Sequence, residues 1–232
     1  MLLSAIILAL LFLTVLLIWR GRDLSLSLER KEVEKNMLVA GQDEAAAEAT
    51  AKLLDEVKDL AEKEGDKPGS DAQIVSVKRE KNGTTTEERA VVIGYESSPI
   101  SLETGEVLNG QGDKVKTDVG SGSLDGPRVS NNITDPSVLP ESVVKLTLFS
   151  NRIEPASFTV KAGQAVSLAV ANSTGGVEIL RFEDSSLSAV VVGLYKDQLR
   201  AISFNAPLQR GEYVYYSEMS RGGGAAGKMT VE

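Results

Sequence analysis

Histidine and cysteine are both absent from the 232 residues, so any chemistry rests on hydroxyls, carboxylates and amines. No disulfide, thiolate metal site, cysteine nucleophile or histidine-dependent proton transfer is available. The most suggestive stretch is Tyr216-Ser217-Glu218-Met219-Ser220-Arg221-Gly222-Gly223-Gly224, taken together with Glu178. Ser217 offers a hydroxyl as nucleophile and Glu178 a carboxylate. It has no His or Lys base at a recognisable spacing, and the chain contains no Gly-x-Ser-x-Gly. The triple glycine is not a phosphate cradle, because no Lys-Ser or Lys-Thr opens a helix after it. One carboxylate with hydroxyls is too few ligands for tight Ca²⁺ or Mg²⁺ binding. The chain is therefore not expected to be an enzyme, and no cofactor is expected.

The elements that position these residues are short strands. Val143-Val144-Lys145-Leu146-Thr147-Leu148-Phe149 alternates, and Val166, Leu168 and Val170 point one way on a later strand. Ile179 to Phe182, Ala189 to Val192, Leu199 to Asn205, Arg210 to Tyr216 and Met229 to Val231 continue the pattern, with turn signals between them. Seven or eight such strands over residues 143–232 argue a β-sandwich.

Several segments follow one another at defined spacings: Pro155 with Phe158-Thr159-Val160-Lys161-Ala162-Gly163, then Asn172, then Phe204-Asn205-Ala206-Pro207, then Gly211-Glu212-Tyr213, then Gly227-Lys228-Met229. In this order they resemble the cupredoxins over all of residues 143–232. They are also similar to membrane-anchored cupredoxin-like proteins of bacteria. The resemblance implies an all-β fold, a Greek-key sandwich. The stretch Tyr216 to Lys228 resembles the plastocyanin ligand loop, where Cys, two residues, His, four residues and Met precede a residue, Gly and Lys. Here those ligand places hold Ser217, Ser220 and Ala225, and the place of the first His holds Glu178. With a longer Cys-to-His gap, Arg221 rather than Ser220 stands nearest the His place. A type 1 site needs a thiolate and two imidazoles with a weak axial donor. The resemblance thus implies a copper scaffold whose four ligand positions are vestigial. Two readings of Glu178 stay open. It either hydrogen-bonds within the loop, to Ser217 and Ser220, or points to solvent at the end of the sandwich.

Ahead of the sandwich, Leu2 to Trp19 is apolar except for Ser4 and Thr14. Its length in helix is roughly 27 Å, close to a bilayer core. Trp19, Arg20 and Arg22 make an interfacial finish. A transmembrane anchor over 1–22 is expected rather than a cleaved signal peptide, since no small-x-small site follows. The positive-inside rule places the C-terminal bulk in the cytoplasm. The family resemblance places it outside, and a single-pass protein of the cell membrane with an extracytoplasmic domain is the reading taken. Residues 23–66 read as a helical stalk, with Ala46, Ala49, Leu53, Val57 and Leu60 on one face. A solvated amphipathic helix is favoured there over a self-associating coil. Residues 67–142 read as a flexible linker with a β-hairpin at 73–94 across Asn82-Gly83. From Gly94 on, turn dipeptides follow one another with no long apolar run, which reads as an interdomain tether.

Net charge is −8. The sandwich is nearly neutral, with nine basic and eight acidic side chains, so the excess acid precedes it. No basic patch suits a nucleic acid, and none is expected as partner. The functional expectation is a membrane-anchored cupredoxin-like domain without a copper site, with a binding or structural role at the cell envelope. Its partner would be another envelope protein or a respiratory complex. The alternative is an accessory of a copper or electron-transfer system that acts through a partner's ligands, and a third reading is a membrane-tethered spacer.

Overall fold

Alternation along the strands decides the architecture, and it runs on both faces of the central ones. In the computed structural model, residues 48–52, 55, 72–81 and 84–232 are described. Residues 48–52 are helical. Three strands precede the sandwich: β1 (Ala72–Lys81), β2 (Thr84–Ile93) and β3 (Ile100–Ser101). The sandwich comprises β4 (Val144–Phe149), β5 (Arg152–Glu154), β6 (Ser157–Val160), β7 (Ala165–Asn172), β8 (Glu178–Phe182), β9 (Val191–Leu194), β10 (Leu199–Asn205), β11 (Gly211–Ser217) and β12 (Ala226–Val231). One sheet has the order β10-β7-β4-β5, and the other β6-β12-β11-β8-β9. The pairs β4–β7 and β12–β6 are parallel, and the other sandwich pairs are antiparallel.

Between the two sheets lies the main core, with Leu146, Leu148, Val166, Leu168 and Val170 from one side and Leu180, Phe182, Tyr215 and Met229 from the other. Phe182 meets Phe204 edge-on across the sandwich at 6.1 Å, and Tyr215 stacks on Phe158 at 5.6 Å. Burial pushes the Tyr215 phenol up to about 12, so it stays neutral and donates to the Pro155 carbonyl at 2.8 Å. Tyr215 is paired in register with Gly227, and a Cβ on Gly227 would lie 2.5 Å from its ring. The glycine after the loop is thus required by the aromatic beside it.

A second core lies outside the first sheet. Most outward residues of β7 and β10 are small: Ala165, Ser167, Ala169, Ala201 and Ser203 are all buried, and Leu199 is the larger, partly buried one at the start of β10. Val91, Ile93, Ile100, Val107, Ile133 and Leu139 pack with these alanines. Ser167 and Ser203 hydroxyls face each other at 2.8 Å beneath this layer, so their burial leaves neither unsatisfied.

This layer corrects the expectation of a flexible linker over 67–142. β1 and β2 pair in a ten-residue antiparallel ladder from Ala72↔Ile93 to Lys81↔Thr84. Beyond them the segment 94–142 is fastened to the sandwich rather than tethering it. Ser130 N–H donates to the Ala201 carbonyl at 2.8 Å, Ile133 N–H to Leu199 at 2.7 Å, and Leu199 N–H to Asn132 Oδ1 at 3.0 Å. These bonds cover the edge of β10, which would otherwise offer free backbone groups. The Val107 N–H donates to Asn205 Oδ1 at 3.1 Å, and Ala189 N–H to the Thr117 carbonyl at 2.9 Å. The physical reason is that the turn residues reverse the chain between single apolar anchors. Asn109, for example, is buried and accepts from Gln111 and Asp113 N–H at 2.9 and 3.0 Å.

The short helix also joins this body. Thr50 is buried, accepts from Ala165 N–H at 3.3 Å, and stands where a side chain on Gly105 would collide with it. Thr50 stands four residues after Ala46 and three before Leu53, within the face read from the sequence, and Ala46, Leu53, Val57 and Leu60 lie outside the described residues. Residues 44–232 form one compact unit. The anchor over 1–22 and most of the stalk over 23–66 lie outside the described residues. Among the described residues no helix is long and apolar enough to cross a membrane.

Ile133 separates a packed layer from a tether. Replacing it by Ala is expected to cost about 2–4 kcal/mol in denaturant unfolding, the range for a buried aliphatic truncation. A change within about 0.5 kcal/mol would restore the tether.

Candidate functional site

Two neighbouring strands bring the predicted positions together. Glu178 opens β8 and Ser217 closes β11, and the ladder between them pairs Ser217 with Leu180. The Glu218 N–H donates to the Ile179 carbonyl at 2.8 Å, which carries the pairing one step further. The chain then turns through Ser220 and the 3₁₀ turn Arg221–Gly223 and returns at Ala225 into β12. Ser217 Oγ donates to Glu178 Oε2 in a short contact, and Ser220 Oγ donates to Oε1 at 2.7 Å. Each carboxylate oxygen therefore has its own hydroxyl donor. Ser217 N–H donates to the Ala225 carbonyl at 3.0 Å, and the Ala225 methyl is fully buried in the main core.

Of the two readings of Glu178, the structure takes the hydrogen-bonded one. Glu178 is 4% exposed and Ser217 is fully buried. An unpaired carboxylate at that depth would cost several kcal/mol. Two hydroxyl donors, one from each side of the turn, supply what the buried group needs. The Arg221 side chain, the cation nearest in sequence, is outside the described residues. Among described side chains the carboxylate is tied by Ser217 and Ser220.

Sequence reasoning placed Asn172 in the pattern but missed its work. Its Oδ1 accepts from the Thr174 N–H at 2.9 Å and the Thr174 hydroxyl at 2.8 Å. Its Nδ2 donates to the Gly176 carbonyl at 2.8 Å and the Tyr195 carbonyl at 3.1 Å. Asn172 thus fixes the loop leading into Glu178 against the end of β9. An Asn two residues before a Thr, with glycines following, is the local signal for such a loop.

The donor set does not fit copper. A type 1 centre needs soft sulfur and imidazole nitrogen. Here the four places offer a carboxylate already engaged twice, two hydroxyls and a methyl. Among the described residues no three His, Cys, Asp or Glu side chains are grouped to hold an ion. Nucleophilic chemistry at Ser217 meets a second obstacle, since its hydroxyl is shut away from solvent and spends its hydrogen on Glu178.

Replacing Glu178 by Ala tests the tie. It should cost about 1–3 kcal/mol of stability, because the buried Ser217 hydroxyl and the half-buried Ser220 hydroxyl lose their acceptor. A carboxylate idle at the surface would change stability by less than about 0.5 kcal/mol.

No family model matches the chain, and no curated protein does. Solved structures similar to it include auracyanins and amicyanins. Dithionite-reduced auracyanin from the photosynthetic bacterium Roseiflexus castenholzii is 19% identical, with a TM-score of 0.32, and the match covers 39% of this chain and 96% of that one. Auracyanin A of Chloroflexus aurantiacus, described as a blue copper protein, is 14% identical over 39% of this chain and 98% of its own, with a TM-score of 0.32. Amicyanin from Paracoccus versutus is 22% identical over 45% of this chain and 97% of its own, again at 0.32. The solved proteins that this chain resembles are thus cupredoxins, over about two-fifths of its length.

Proposed function

We propose that residues 143–232 act as a cupredoxin-like domain without a copper site, in a binding or structural role rather than a catalytic one. The observation that carries this reading is the tie of Glu178 to Ser217 and Ser220, which occupies the vestigial ligand positions with a satisfied polar cluster. A metal site holds its ligands in place by coordination. In this chain two hydroxyls and one carboxylate hold the same loop without an ion. The apolar run Leu2 to Trp19, closed by Arg20 and Arg22, supports anchoring in a membrane, with the folded part presented at the cell envelope to another protein. The nearly neutral sandwich supports a protein partner over a nucleic acid.

The test is an equimolar copper titration of the full chain, followed by thermal unfolding with and without chelator. Coincident melting curves and no stoichiometric copper at Glu178 are expected. Tight copper uptake that Glu178→Ala abolishes would overturn the reading. Copper held only when a second protein is added would point instead to an accessory that works through a partner's ligands.

A further inference from the structure

Two open cavities adjoin and form one groove. The larger, about 690 Å³, is lined by Leu124, Pro127, Val129, Ala189 and Val191. The smaller, about 400 Å³, is lined by Val75, Val77, Val92, Tyr95 and Pro99. Glu96, Gly110 and Arg128 line both, so the two join at that point.

The smaller cavity runs along the rim of β1. Gln73, Val75 and Val77 share one face of the strand, whereas Ser76 and Lys78 point to the other, and all five line it. A cavity that touches consecutive residues takes in the strand's edge as well as its face. Among the described residues β1 pairs with β2 alone, so its other edge is open. The turn 109–113 closes that edge only at its far end, where a Cβ on Gly112 would lie 2.6 Å from the Lys78 carbonyl oxygen. An open strand edge beside apolar walls offers main-chain hydrogen bonds and pockets for alternate side chains.

Charge narrows the occupant. Lys78 and Arg128 are both exposed, and neither has an acidic partner within ion-pair distance among the described residues. Glu96 is the acid beside them, so the groove carries two cations to one anion in a chain of net charge −8. Glu96 also holds a left-handed backbone, φ 70°, in a turn closed by Ser97 N–H on the Gly94 carbonyl at 3.1 Å. That conformation is uncommon outside glycine. It sets Tyr95, 53% exposed, and Glu96 side by side at the junction of the two cavities.

We infer that this groove takes an extended peptide segment bearing an acidic side chain, which adds as a strand to the free edge of β1. Its main chain pairs with the strand from Gln73 toward Val77. Its alternate side chains rest on Val75, Val77 and Pro99, and its carboxylate meets Arg128 and Lys78. This goes beyond the copper-free reading of the sandwich and does not depend on it, since the groove shares no residue with the vestigial positions.

The test uses the full chain and two fluorescein-labelled octapeptides of alternating Thr and Val, acetylated and amidated at their ends. One carries a central Glu and the other a central Lys. Anisotropy should show the Glu peptide binding at least tenfold more tightly, with slowed amide exchange in β1 on binding. Arg128→Glu should reverse the preference, and the gain of the Lys peptide shows that the variant is folded. Absence of binding by either peptide, equal binding of both, an unchanged preference in Arg128→Glu, or binding without protection of β1 would each overturn the inference. A second copy at the edge would appear as concentration-dependent dimerisation with β1 protected in the absence of peptide, and would overturn it as well.

Discussion

A buried carboxylate must find donors, and the end of the sandwich is arranged around that need. Glu178 is carried into the interior by the first residue of β8, beside the last residue of β11. The turn that follows Ser217 folds back so that Ser220 reaches the second oxygen. Ala225 then returns to receive the Ser217 N–H and to seat its methyl in the core. Asn172 holds the approach to Glu178 from the other side. The two hydroxyls meet the carboxylate directly, and its desolvation is costly unless both oxygens are satisfied.

The rest of the molecule answers a second constraint, that the central strands have no solvent face. Small residues on the outside of β7 and β10 leave room for a covering layer, and that layer brings its own aliphatic anchors and caps the β10 edge. The two cores share one sheet. Chain that precedes the sandwich in sequence is therefore part of its stability, and a groove arises where no described strand pairs the outer edge of β1.

How much of this the sequence disclosed depends on the residue. The inward stripe of Val166, Leu168 and Val170 was legible because bulky residues alternate there. The opposite stripe of Ala165, Ser167 and Ala169 carries the signal for a covering layer, but small residues also occur on wet faces, so alternation alone does not reveal burial. The segment after Gly94 was misread because Gly, Asn, Asp and Ser mark reversals, and a reversal is equally compatible with a tether and with a wrapped layer. Single anchors such as Ile100, Val107 and Ile133 have no period to detect. The choice between a tied and an exposed Glu178 could not be read at all, since it depends on how the turn after Ser217 folds, which glycines leave free.

The central claim is that Glu178 and Ser217 stabilise the domain jointly, through the hydrogen bond they share. A double-mutant cycle measures this directly, with Glu178→Ala, Ser217→Ala and the pair compared by denaturant unfolding. A coupling energy of about 1 kcal/mol or more is expected for two groups that share a buried hydrogen bond. Additivity to within about 0.3 kcal/mol would mean that the two do not act together, and would contradict the account.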